Sequence, residues 1–195
     1  HKIGQHPHLM QVYEYGQKDG EYYAVFEYIE GIRLDQLIDS PVRRAQKQVL
    51  LWSLQILSAE QHMYEQGYLF RDLKPQNVII DQKGNVKMLD YGLAMSTDEA
   101  LNNPSEQIKG SPYYLPPERI VGAGESMCSE IYSLGMVLFH ILAKRTYYSA
   151  EDVKRLVGKH VASLRVTDVT TKLPSKTDPV MIQVLNRMIQ RDPKL

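Results

Sequence analysis

The sequence has 195 residues, 43% hydrophobic and 24% charged, a composition that fits one folded globular domain and excludes an intrinsically disordered chain. Its 23 Lys and Arg balance 23 Asp and Glu, so no bulk charge draws it to nucleic acid or to an anionic membrane surface. The single cysteine, Cys128, excludes an internal disulfide and a cysteine-rich zinc site and fits a reducing compartment, which makes the cytoplasm the expected location.

Leu9 to Tyr15 and Tyr22 to Tyr28 are rich in β-branched and aromatic residues, with the turn signal Lys18-Asp19-Gly20 between them, and so predict a β-hairpin. From Val42 to Gln66 the period changes. Val49, Trp52, Ile56, Ala59 and Met63 recur at spacings of three and four, predicting a helix that Gly67 ends. Trp52 and the methionines read as core fillers. Val78-Ile79-Ile80 and Val86 to Leu89, joined through Gly84, predict a second hairpin. Ser129 to Ala143 is apolar on nearly every face, the pattern of a helix buried all round. Its apolar run, Ile131 to Ala143, is broken by Ser133, Gly135 and His140 and falls short of the roughly 20 residues a membrane span needs, so no membrane segment is expected in this chain. A last helix is predicted after Asp178, an N-cap followed by Pro179, with Ile182, Leu185, Met188 and Ile189 turned inward. A small β portion followed by a large helical portion gives the α+β class.

Between the long helix and the second hairpin lies Tyr68 to Asn77, a polar, Pro-containing loop on rigid supports, where catalytic groups often sit. If Ile80 faces Val86, Asn77 faces Leu89, and the hairpin brings Asp90 within roughly 5–8 Å of Asn77. Asp72, Asn77 and Asp90 then share one mouth. A carboxylate and an amide oxygen suit Mg²⁺, a hard cation that takes its other ligands from water and phosphate. Asp72 can accept a proton from a hydroxyl nucleophile, and Lys74 brings a positive charge to a transferring phosphoryl group. Metal, base and cation together point to phosphoryl transfer. The pair His6 and His8 lacks a third ligand at metal-binding spacing, and Pro7 between them favours an ordinary turn.

Phe70-Arg71-Asp72-Leu73-Lys74-Pro75-Gln76-Asn77 resembles the His-Arg-Asp catalytic loop of the eukaryotic-like (Hanks-type) protein serine/threonine kinases of bacteria, and Asp90-Tyr91-Gly92 resembles their Asp-Phe-Gly. Pro116-Pro117-Glu118 resembles the Ala-Pro-Glu that ends an activation segment. Ser129 to Gly135 resembles the central helix of the large lobe. The resemblance covers essentially the whole chain and implies a protein-kinase-like fold. Residues 1–30 would be the last strands and hinge of the small lobe, and 31–195 the large lobe, truncated at its C-terminal end. It implies a transfer of the γ-phosphoryl of ATP to Ser or Thr of a protein substrate, with ATP and Mg²⁺ as cofactors and no nucleic acid partner. Asp72, Lys74 and Asn77 would be catalytic, and Asn77 and Asp90 would hold the metal. Phe26 stands at the gatekeeper position, the backbones of Glu27 and Ile29 would meet adenine, and Ile79 would lie beneath it. Lys74 with Ser111 resembles the serine/threonine class.

The resemblance further implies that Arg71 docks a phosphorylated activation segment, with Ser96, Thr97 and Ser105 as candidate phosphosites, and that Glu118 anchors the end of that segment. Phe70 stands for the usual His or Tyr and Glu130 for the usual Asp, the carboxylate that ties down the catalytic-loop backbone. The family's glycine-rich strand pair and phosphate-holding lysine precede the hinge, so the 195-residue chain is expected to be inert in transfer by itself, as an internal piece of a longer kinase. The alternatives are a pseudokinase scaffold, favoured by Phe70 and Glu130, and a small-molecule kinase of the aminoglycoside type, against which Lys74 and the Gly110 to Glu118 segment argue.

Overall fold

The computed structural model describes residues 3–102, 110–149, 155, 158–159 and 168–190. Ser105 lies outside these. Strands β1 (Val12–Lys18) and β2 (Glu21–Phe26) form the first antiparallel hairpin, turning at Asp19 and Gly20, both at positive φ. The hairpin begins later than Leu9 because Leu9 is used elsewhere. His8 and Met10 exchange backbone hydrogen bonds with Met88, and Leu9 makes a parallel bridge to it. The hairpin has little cover, with Tyr22 86% and Tyr28 92% exposed.

Strand β3 (Gly31–Arg33) and helix α1 (Leu34–Asp39) follow, neither of them expected. Helix α2 (Gln46–Glu65) starts four residues after the predicted Val42. The reason is tertiary: Lys144 Nζ donates to the carbonyls of Leu37, Ile38, Ser40 and Val42, and Arg43 Nη1 donates to Leu142 O at 2.9 Å. Those bonds hold the lead-in outside the helix. The predicted stripe of α2, Val49, Trp52, Ile56, Ala59 and Met63, is buried as expected.

A two-residue strand β4 (Tyr68–Leu69) opens the segment that carries Asp72, and a 3-10 turn (Pro75–Asn77) closes it. Strands β5 (Val78–Asp81) and β6 (Val86–Met88) pair in the predicted register, Ile80 opposite Val86, and β3 adds to the other edge of β5. Helix α2 fixes this hairpin through side chains: Trp52 Nε1 donates to Gly84 O at 3.0 Å, and Gln55 Oε1 accepts from Val86 N at 2.9 Å.

After β6 come strand β7 (Met95–Ser96), paired with β4, and the short helices α3 (Thr97–Asn102) and α4 (Pro117–Ile120). Helix α5 (Met127–Ala143) starts from a capping box in which Ser126 and Ser129 satisfy each other's backbone N–H groups. It is buried almost all round, as its composition predicted, and packs against α2. Helix α6 (Pro179–Met188) is capped by Asp178, whose carboxylate accepts from Val180 N at 2.7 Å. It meets α5 at Gly135, where a Cβ would lie 2.7 Å from Ile189 Cγ2 and 2.9 Å from Met188 Cβ, so only glycine permits this approach. Each fully buried Leu, Ile or Phe along this seam contributes about 1.5–3 kcal/mol. The core formed by α2, α5 and α6 is the rigid body on which the loops of the site rest. Among the described residues no helix is long and apolar enough to cross a membrane.

Candidate active site

Asp72 is buried, and its carboxylate is held from two directions. Lys74 Nζ donates to Asp72 Oδ2 at 2.6 Å, and Asn77 Nδ2 donates to the same oxygen at 2.9 Å and to Asp72 O at 3.0 Å. Because the amide NH₂ of Asn77 is spent on Asp72, its oxygen is the group left to face a cation. Asn77 is fixed in turn by its backbone: its N–H donates to Lys74 O at 2.9 Å and its carbonyl accepts from Leu89 N at 2.8 Å. That second bond is the cross-strand step expected from the hairpin register, and it sets Asp90 one residue beyond the pair. Asp90 is exposed, has a left-handed φ of 64°, and accepts from Gly92 N at 3.0 Å.

The loop that carries Asp72 is anchored from below. Arg71 also has a left-handed φ, 68°, a conformation that costs a non-glycine residue free energy and persists where its surroundings dictate it. Here they do. Both carboxylate oxygens of Glu130, on α5, accept from Arg71 N at 3.1 Å, and Arg119 Nη1 donates to Arg71 O. The Arg71 side chain is buried too: Nε and Nη2 donate to Glu125 Oε1 at 3.1 and 2.6 Å, and Nη1 faces Met95 Sδ at 3.3 Å. Phe70 is wholly buried and meets the edge of Tyr91 with ring centroids 6.3 Å apart, while Tyr91 Oη donates to Met10 O at 2.7 Å.

Burial pushes the Glu130 carboxyl up to about 7, against the pull of Arg119 and the Arg71 amide. Glu60, on α2, is buried beside it, and neither of its carboxylate oxygens has a hydrogen-bond partner among the described residues. Burial first, and the Glu130 charge second, raise the Glu60 carboxyl well above the usual range. At the end of the segment Glu118 accepts from Ser129 Oγ, and burial raises its carboxyl. Gly110 lies over the loop: a Cβ there would be 3.0 Å from Leu115 Cδ2 and 3.7 Å from Asp72 Oδ1, and its φ of 112° disfavours any side chain.

The remaining residues singled out in the sequence are spread around this centre. Phe26 is exposed at the end of β2 and lines a cavity of about 1460 Å³ together with Leu9, Met10, Lys87, Asp90 and Tyr91. Asp72, Lys74, Asn77, Glu27, Ile29 and Ile79 do not line it. The Glu27 carboxylate accepts from Gln11 N and Lys87 Nζ, both at 2.8 Å, while Ile79 pairs with Arg33 of β3. Ile29 is half-buried. Ser111 accepts from Tyr114 N through its carbonyl. Thr97 opens α3, its N–H donating to Gly67 O at 2.9 Å. His6 stacks on His62 with ring centroids 5.1 Å apart, and no cluster of three or more His, Cys, Asp or Glu suited to a metal occurs among the described residues.

Sequence reasoning missed Glu60, Arg119 and Glu125, whose partners lie far along the chain and leave no local signal. It also missed α3, although Ser96 and Glu99 carry the S-x-x-E spacing of a helix start, and Ser96 Oγ accepts from Glu99 N at 3.3 Å.

Comparison with known proteins matches residues 1–195 to the protein kinase domain family. The chain is 35% identical over 156 residues to the serine/threonine-protein kinase PrkC of Bacillus subtilis, covering 80% of this chain and 24% of that protein. It is 27% identical over 187 residues to the probable serine/threonine-protein kinase PknB of Lactococcus lactis, covering 95% and 30%. It is 30% identical over 190 residues to the maternal embryonic leucine zipper kinase of Danio rerio, covering 97% and 27%. The chain thus spans between a quarter and a third of the length of these relatives.

Proposed function

The chain belongs to the protein kinase domain family, and from that premise we propose that the protein transfers the γ-phosphoryl of ATP to Ser or Thr hydroxyls of a protein substrate. The observation that carries this reading is the buried Asp72 carboxylate bridged by Lys74 and Asn77. In the reaction the acceptor oxygen forms its bond to phosphorus as the bond to ADP breaks. Asp72 orients the hydroxyl and takes its proton, and Lys74 turns from Asp72 toward the phosphoryl oxygens as charge develops there.

Asn77 and Asp90 supply an amide and a carboxylate oxygen, a hard-donor set that fits Mg²⁺ and leaves its other positions to water and phosphate. When bound, the ion neutralises charge on the phosphates. In this reading residues 1–30 are the hinge side and 31–195 the large lobe. Phe26 is the gatekeeper, the backbones of Glu27 and Ile29 meet adenine, and Ile79 supports it from below. Ser111 takes part in acceptor selection, Glu118 steadies the segment end through Ser129, and Thr97 is a modification site. A reaction that consumes ATP fits a cytoplasmic location for this part of the protein.

The test is incubation of the full-length protein with γ-labelled ATP, Mg²⁺ and a generic protein substrate, followed by phosphoamino-acid analysis. Label in phosphoserine or phosphothreonine that requires Mg²⁺ is the expected result. Label in phosphotyrosine, or in a small-molecule acceptor and not in protein, would contradict it.

A further inference from the structure

Glu125 is 2% exposed, sits on the link between α4 and α5, and is absent from the machinery described above. One of its carboxylate oxygens takes two N–H groups of Arg71; the other takes Arg119 Nε at 2.6 Å and pairs with Arg119 Nη2. Arg119 then reaches on to the carbonyl of Arg71. The backbone of Glu125 is itself fixed, since its N–H donates to Ala100 O of α3 at 3.0 Å. One buried anion therefore grips both the side chain and, through Arg119, the backbone of the residue next to Asp72. Together with Glu130 on the Arg71 amide, it holds that residue in its left-handed conformation.

The electrostatics bear on regulation. A guanidinium that serves as a receiver for a phosphate must be reachable and must lack a fixed counter-charge. Arg71 is 8% exposed and already donates two N–H groups to one carboxylate oxygen.

Building on the kinase reading, we propose that Glu125 is a positioning residue for phosphoryl transfer. Its carboxylate occupies the place on Arg71 that a phosphoryl group would take, so the loop carrying Asp72 is set without phosphorylation of the segment between Asp90 and Glu118.

The experiment compares full-length wild type, Glu125→Gln and Glu125→Asp by steady-state kinetics, and by amide hydrogen exchange over residues 70–77. Glu125→Gln keeps the shape but not the charge. It is expected to lower kcat by about a hundredfold while KM for ATP stays within about twofold, because misplacing a catalytic group slows the chemical step and leaves nucleotide binding alone. Exchange at Arg71 and Asp72 should quicken in this variant. Glu125→Asp, which keeps the charge, should recover most of the turnover. Wild type stripped by a phosphatase should retain its turnover.

A folded Glu125→Gln with wild-type kcat and unchanged exchange would overturn the proposal, as would loss of turnover on phosphatase treatment of wild type. If Glu125→Gln does not fold, the phosphatase arm decides by itself, retained turnover supporting the proposal. If wild type transfers no phosphoryl group at all, the kinase reading falls. Exchange over 70–77 then still judges the clamp, with faster exchange upholding it and unchanged exchange refuting it.

Discussion

Asp72 and Asp90 both connect to Asn77, Asp72 directly and Asp90 through its neighbour Leu89, yet Asp72 is buried and bridged by Lys74 and Asn77, whereas Asp90 is exposed and accepts a local bond from Gly92 N. The support beneath them differs as well. The Asp72 loop is tied to α5 and α4 through Glu130 and Arg119, residues far along the chain, while Asp90 depends on the register of the β5–β6 hairpin and on a left-handed turn. The contrast matches the two tasks proposed for them. A proton acceptor must be fixed before the substrate arrives, since its efficiency rests on geometry, and a ligand to an exchangeable metal and phosphate must stay accessible.

A large effect along this contrast is expected on the accessible side. Asp90→Ala removes the proposed charged metal ligand and leaves Asn77 alone, so kcat/KM should fall by about a hundredfold or more. The Mg²⁺ concentration needed for ATP binding should rise. A magnesium titration followed by calorimetry of the full-length protein checks this, and an unchanged Mg²⁺ requirement would break the assignment.

A smaller effect is expected where the segment crosses the buried side. Gly110→Ala puts a Cβ against Leu115 and near Asp72 at a φ of 112°. It should cost on the order of 1–3 kcal/mol of stability and lower turnover by about tenfold, through crowding of Asp72. Thermal melting and kcat measured on the same sample separate the two. A drop in melting temperature with kcat intact would show that Gly110 serves folding only.

The smallest effect concerns the foundation of the Asp72 loop. Glu60 and Glu130 both have raised carboxyls, so the fold favours their neutral forms. Their contribution to stability is full below the ordinary carboxylate value of 4.5 and is lost as pH rises through about 7, where Glu130 ionises. Glu60→Met removes the unpartnered acid and its repulsion of Glu130. The variant should come nearest to wild type around pH 4.5 and exceed it by a growing margin as pH rises toward 8, where the buried charge weighs most. Denaturant titrations across that range check it, and a difference that shrinks with rising pH would reverse the assignment.

How much of this was legible in the sequence depended on where each partner lay. Helices α2, α5 and α6 were readable because burial on one face, or on all faces, imprints a period on the residues themselves. The pairing of Asn77 with Leu89 was readable because hairpin register follows from a short turn. The onset of α2 was not, because Lys144 takes the carbonyls of Ser40 and Val42 and the Arg43 side chain is drawn to Leu142 O, contacts that lie far along the chain. Strands β4 and β7 are two residues each and exist only as each other's partner. Within the site, Asp72, Lys74, Asn77 and Asp90 stood out as a set with chemistry. Glu125 and Arg119 did not, since a buried ion pair has no periodicity and only the fold brings its members to Arg71.

In the proposed reaction Asp72 is a pre-positioned proton acceptor and plays no part in holding nucleotide. The most direct measurement is Asp72→Asn in the full-length protein, with turnover on a protein substrate and ATP–Mg²⁺ affinity by calorimetry taken side by side. The expected result is that kcat falls by about a hundred- to ten-thousandfold while the ATP dissociation constant stays within about twofold. Retained turnover with weakened ATP binding would contradict it and move Asp72 from the acceptor side of the reaction to the nucleotide side.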